Sequence, residues 1–102
     1  MKRYCCYRNE TNGDISYNEM QKILKTKSAI LIDVRSKQEF NEGHFNDAIN
    51  IPLNDINIIT DKIKDKNKYI ILYCSSGIRS KKAQKILISD GYMNVYNLVD
   101  GY

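Results

Sequence analysis

Apolar residues fall along this chain in short runs separated by stretches with helical spacing. Ala29–Val34 (AILIDV), Tyr69–Tyr73 (YIILY) and Val95–Leu98 are runs of strand length, and Ala48–Ile51 is a shorter one closed by Pro52, the only proline. Runs this short and this apolar read as strands buried on both faces. Between them, Ser16 with Glu19 and Ser36 with Glu39 have the spacing of capping boxes. The first opens a helical face of Met20, Ile23 and Leu24 to about Lys25, and the second opens a short helix that Gly43 can end. Ile56, Ile59 and Ile63 predict a helix over Asp55–Lys64, and Ala83, Ile86 and Leu87 predict one over Lys81–Ser89, with Gly91 beyond its end. Short apolar strands alternating with helices predict an α/β fold, a mainly parallel sheet flanked by helices on both faces. Residues 1–14 show no clear period and are expected to form an arm with room for one short strand, followed by a domain over 15–102.

At 102 residues the chain is one domain, and 42% hydrophobic with 27% charged residues is ordinary for a globular protein. The net charge of +4 is mild. Lys62, Lys64, Lys66 and Lys68 are the nearest thing to a basic cluster and read as a solvated helix face and loop, so no nucleic-acid partner is expected. No apolar run is long enough to span a bilayer, and the opening MKRYCCYRNETNGD lacks the apolar core of a signal peptide. The expectation is a cytoplasmic protein with no membrane partner. Three cysteines cannot all pair within the chain, and no C-x-x-C pair or histidine cluster suggests a metal. A reducing compartment fits them, with Cys5 and Cys6 as exposed thiols on the arm.

Cys74 stands where the run Tyr69–Tyr73 ends, and Ser75-Ser76-Gly77-Ile78-Arg79-Ser80 leads from it into the last helix. In parallel sheets ligands collect beyond the carboxyl ends of the strands. A loop there can curl its backbone N–H groups inward, and the following helix adds its positive dipole end. A thiol inside such a ring should be more acidic than a free cysteine. Ser75, Ser76 and Gly77 are small enough for a tight curl, Gly77 can take a positive φ, and Arg79 carries a fork suited to oxyanions. A buried structural cysteine beside an ordinary loop is the plainer alternative, and a surface pairing of Arg79 with a carboxylate is the plainer reading of that arginine.

Four segments resemble, in the same order, those of the single-domain rhodaneses, the thiosulfate sulfurtransferases. They are ILIDVRSKQEF, through Asp33, Arg35, Glu39 and Phe40; GHFNDAINIP; YCSSGIRS; and the closing GYMNVYNLVDG. The resemblance covers about Ile15 to Gly101 and implies a five-stranded parallel sheet with Cys74 as a sulfur-accepting nucleophile. Asn46-Asp47 stands where the family has Pro-Gly, and Asp100 where it has the first closing glycine. The sequence ends at Tyr102 without the family's aromatic tail, which implies a more open edge of the site.

The resemblance implies that Cys74 takes sulfur from thiosulfate or a persulfide, that the amides of Ser75 to Ser80 hold the resulting anion, and that cyanide, a small thiol or a protein thiol removes it. No metal or organic cofactor is needed. Phosphatases and arsenate reductases of similar fold need one residue more between cysteine and arginine; here four residues separate Cys74 from Arg79, and Ser80 fills the phosphatase arginine's place. A module that delivers sulfur only when docked to a partner is the other alternative. Asp33 and Arg35 are supporting candidates at a neighbouring strand end, with Arg35 and Glu39 expected to pair at i,i+4. His44 reads as a turn residue, and Tyr69, Tyr73, Tyr92 and Tyr96 as packing residues.

Overall fold

The computed structural model describes residues 13–102. Five strands, β1 (Gly13–Ile15), β2 (Ile30–Asp33), β3 (Ile49–Asn50), β4 (Tyr69–Tyr73) and β5 (Asn94–Leu98), form one sheet in the order β1-β5-β4-β2-β3. Every pairing is parallel. The helices between them are α1 (Tyr17–Thr26), α2 (Lys37–Glu42), α3 (Ile58–Lys62) and α4 (Ile78–Ser89), with a 3-10 turn at Leu53–Asp55.

Because side chains alternate along a strand, β4 at the sheet centre feeds two apolar layers. Ile70 and Leu72 pack with Ile59 of α3 and with Ala83 and Leu87 of α4, whereas Ile71 and Tyr73 pack with Met20 of α1. Cys74, one residue past β4, continues the first parity and lies under α4, fully buried. Both capping boxes form, Ser16 with Glu19 and Ser36 with Glu39, and each sets the start of its helix.

Four sequence expectations are corrected. The helix expected over Asp55–Lys64 is a 3-10 turn followed by five residues of α3. Ile56, Asn57, Ile58, Ile59 and Thr60 are all weak helix formers, and tertiary packing of Ile56 and Ile59 shapes the segment instead. The last helix starts at Ile78 rather than Lys81. Its inward positions are Ala83, Gln84 and Leu87, while Ile86 is 36% exposed. Gln84 Nε2 donates to the carbonyls of Val95 and Gly13, tying α4 to β5 and β1. The strand expected over Ala48–Ile51 is limited to Ile49–Asn50.

Of the arm expected over 1–14, Gly13 and Asp14 begin β1; the rest, with Cys5 and Cys6, lies outside the described residues. Among the described residues no helix is long and apolar enough to cross a membrane.

Candidate functional site

Cys74 follows the central strand, and Gly77 caps α4 with φ 87°, ψ −5°. That left-handed conformation turns the chain back on itself, so that Gly77 N–H donates to Cys74 Sγ at 3.1 Å. A Cβ on Gly77 would lie 3.0 Å from the Val99 carbonyl, so both the turn and the close approach call for glycine. Ser80, in the first turn of α4, is buried with its Oγ 3.5 Å from Sγ. Burial pushes the Cys74 thiol up, but the Ser80 hydroxyl and the amides of Ser80, Ser76 and Gly77 outweigh it, and the net effect is a lowered pKa. These are the unpaired N–H groups of a helix start, turned on a sulfur.

The ring is tighter than a six-residue loop, since Ile78, Arg79 and Ser80 already belong to α4. Ser76, Gly77 and Ser80 face the sulfur with their amides. Ile78 is 66% exposed, so its side chain takes no part in the ring. Ser75 is exposed and reaches the site through Arg79, whose Nη2 donates to Ser75 Oγ at 3.2 Å.

Behind Ser80 lies Asn97 of β5, a residue without a role in the sequence reading. Ser80 Oγ donates to Asn97 Oδ1, and Asn97 Nδ2 donates to Asp14 Oδ1 at 3.3 Å and to the Gly77 carbonyl at 3.4 Å. Asp14 in turn pairs with Lys81 at 2.7 Å. The signal that could have revealed Asn97 is an amide inside the run Val95-Tyr96-Asn97-Leu98, where burial demands partners.

Asp33 and Arg35 are placed beside each other rather than at the sulfur. Arg35 grips the buried Asp33 carboxylate with Nε and Nη2 at 2.7–3.1 Å and donates from Nη2 to the Gly43 carbonyl at 2.6 Å. Asn50 Nδ2 donates to the carbonyls of both residues, and the guanidinium lies 4.9 Å from the Tyr102 ring centroid. This brace fixes the β2–α2 turn. The expected Arg35–Glu39 pair does not form, because Arg35 precedes the cap Ser36 and lies outside the helix whose i,i+4 geometry it would need.

Glu39 instead takes Arg79. Nη1 reaches Oε1 at 2.7 Å and Nη2 reaches Oε2 at 3.0 Å, a two-pronged pair across 40 residues. The guanidinium, together with the cap at Ser36, draws the Glu39 carboxyl down to about 2. His44 stacks on Phe40 at 3.7 Å between ring centroids and donates from Nδ1 to the Phe40 carbonyl, as a turn residue. Tyr73, Tyr92 and Tyr96 are buried packing residues, and Tyr69 stacks on Tyr96. Among the described residues, no group of three or more His, Cys, Asp or Glu could hold a metal ion.

The sequence model of the rhodanese-like domain matches residues 16–102. The chain belongs to the rhodanese-like domain family. A rhodanese from E. coli, solved with anions, is 38% identical, with a TM-score of 0.62 over 68% of this chain and 82% of its own. A human single-domain sulfurtransferase shares the fold, with a TM-score of 0.76 at 24% identity over 87% of this chain and 90% of its own. Among curated relatives, a tRNA uridine(34) hydroxylase of Buchnera aphidicola is 36% identical over 98 residues, which is 91% of this chain. This rhodanese-like domain spans only 31% of that relative's length.

Proposed function

We propose that the protein is a sulfurtransferase in which Cys74 carries a sulfane sulfur as a persulfide. The observation that supports this reading best is the Cys74 sulfur itself: buried, with its pKa lowered, and faced by the Gly77 amide and the Ser80 hydroxyl. In the loading step the Cys74 thiolate attacks the outer sulfur of the donor. With thiosulfate, the S–S bond breaks and sulfite leaves with its electron pair. With an organic persulfide RS–SH, a thiolate RS⁻ leaves and Cys74 holds S–SH. The amides of Ser76, Gly77 and Ser80 stabilise the persulfide anion, and cyanide or a thiol then attacks its outer sulfur and regenerates the Cys74 thiolate.

The short ring argues against phosphoryl transfer. Ser80 fills the place where a phosphatase would carry its arginine, and its hydroxyl is turned inward to Sγ and Asn97. A thiol of this kind needs a reducing compartment, which favours the cytoplasm.

A second reading rests on the curated relatives named for tRNA uridine(34) hydroxylation. There the Cys74 domain would serve a tRNA-modifying protein, delivering its chemistry only when docked to the remaining parts or to RNA. Thiocyanate formation from thiosulfate or a hydroxyethyl persulfide, together with the mass of the uridine in tRNA incubated with the protein, separates the two. Turnover without RNA that is lost in Cys74→Ser supports a free-standing sulfurtransferase. No thiocyanate, with one oxygen atom added to the tRNA uridine, favours the second reading.

A further inference from the structure

Behind Cys74 a line of hydrogen bonds runs through the sheet to an ion pair on its far side, and its last member stands on the edge strand β1. The β1–β5 register sets Asp14 directly opposite Asn97. Asn97 is buried, and Asp14 Oδ1 takes its Nδ2 at 3.3 Å; the other acceptor of Nδ2, the Gly77 carbonyl, is at 3.4 Å. The same Asp14 oxygen takes Lys81 Nζ at 2.7 Å. That bond, above all, holds the Asp14 carboxyl below its ordinary range. Asp14 is therefore a charged acceptor at neutral pH, with no hydrogen to offer the amide. It fixes the amide with Nδ2 outward and with Oδ1 on the buried Ser80 hydroxyl.

This orientation decides where the single Ser80 hydrogen rests. With Oδ1 facing it, the hydroxyl has two acceptors, Asn97 and the Cys74 sulfur. Turning the hydrogen to the sulfur leaves two oxygens, Ser80 Oγ and Asn97 Oδ1, facing each other with no hydrogen between them. A reversed amide would remove that conflict, because Nδ2 would donate to Oγ and leave its hydrogen free for Sγ. Asp14 forbids the reversal, since Oδ1 would then face a carboxylate. Without Asp14, a reversed Oδ1 meets the Lys81 ammonium instead.

We infer that Asp14 is a positioning residue for Cys74: by fixing the Asn97 amide, it makes the Ser80 hydrogen alternate between Asn97 and the sulfur instead of resting on the sulfur. The consequence for turnover rests on the sulfurtransferase reading. In the persulfide, Sγ is bonded to the outer sulfur, which carries the charge, and the hydrogen lies on Asn97. When an acceptor thiol or cyanide takes the outer sulfur, Sγ keeps the electron pair of the S–S bond as a thiolate, and the hydrogen turns to it.

The test is the titration of the Cys74 thiol by ultraviolet absorbance, with Cys5→Ser and Cys6→Ser in every sample so that only Cys74 contributes. Asp14→Ala should lower the titration midpoint by about half a pH unit or more. Asp14→Asn removes the charge but keeps an acceptor oxygen for Asn97, and should lower it by no more than about half of that. In a Ser80→Ala background, Asp14→Ala should change nothing further. Arg79, the other charge felt by Cys74, is untouched throughout. The Asp14 side chain is 47% exposed, so alanine opens no cavity. Asp14→Val, suited to a strand, replaces it if β1 loosens, with the same expectation. A midpoint that stays or rises in Asp14→Ala overturns the inference. So does an equal fall in Asp14→Asn or in the Ser80→Ala background, either of which would mark a through-space charge effect. The titration uses no sulfur donor: a midpoint that moves as expected while neither thiosulfate nor hydroxyethyl persulfide adds sulfur to Cys74 sinks the sulfurtransferase reading and supports the positioning role.

Discussion

The Ser80 hydroxyl lies between two acceptors, the Cys74 sulfur and Asn97 Oδ1. Asn97 Nδ2 is committed to Asp14 and to the Gly77 carbonyl, so Oδ1 must face Ser80. The hydroxyl can therefore give its proton to Asn97 while Cys74 is a thiol and turn it to the sulfur when Cys74 is a thiolate. Removing it in Ser80→Ala takes away a group that lowers the Cys74 pKa, so the thiol should titrate at higher pH. It also strands a buried amide oxygen, at a cost of about 1–3 kcal/mol. Ultraviolet absorbance of the thiolate against pH, with a denaturation curve, measures both; an unchanged or lower thiol pKa would contradict this role for the hydroxyl. Asp47 is a second residue with a local account: it sits at φ 69°, the only non-glycine with positive φ among the described residues, in a turn where rhodaneses have Pro-Gly. Asp47→Gly should stabilise the protein by up to about 1 kcal/mol in urea denaturation, because glycine meets no Cβ clash there.

Elements were legible where their cause is local. The boxes at Ser16 and Ser36 lie within one turn, and β4 matches its apolar run residue for residue. α4 begins three residues before the expected start because Gly77 serves as its cap: its positive φ was open to the sequence, but that the helix begins directly after it was not, since the apolar spacing starts only at Ala83. Ile86 looked inward by spacing, but the face against the sheet includes Gln84, whose amide has backbone partners. The Glu39–Arg79 pair joins α2 to α4 across 40 residues and leaves no periodic trace. Glu39's depressed carboxyl gives that pair a pH signature. Its stabilisation is fully present above the unfolded pKa of about 4.3 and is lost as pH falls through the folded value of about 2. The melting-temperature gap between wild type and Glu39→Gln should therefore narrow between about pH 4.5 and about pH 2; a gap independent of pH would contradict it. The closing turn after β5 is equally constrained: Gly101 has φ 68°, and an added Cβ would lie 2.3 Å from the Ser75 carbonyl oxygen. Gly101→Ala should cost about 2 kcal/mol or more and disturb the Cys74 loop, seen as a lower melting temperature together with a shifted thiol pKa.

At the scale of the whole molecule, the parallel sheet brings together what the sequence keeps far apart. β4 ends at Cys74, β5 supplies Asn97 beneath it, and the chain after β5 returns over the loop, with Tyr102 N–H donating to the Cys74 carbonyl at 2.9 Å. The two apolar layers around Ile70, Ile71 and Leu72 make this end of the sheet a rigid support, so that α4 can point its first turn at one sulfur. The central claim is that this support holds a thiolate able to accept sulfur. The most direct measurement is the intact mass of the protein after treatment with hydroxyethyl persulfide or thiosulfate, with peptide mapping to separate Cys74 from Cys5 and Cys6, before and after cyanide. The expected result is one added sulfur atom on the Cys74 peptide, removed by cyanide as thiocyanate and absent in folded Cys74→Ser; no added sulfur on Cys74 from either donor would contradict the account.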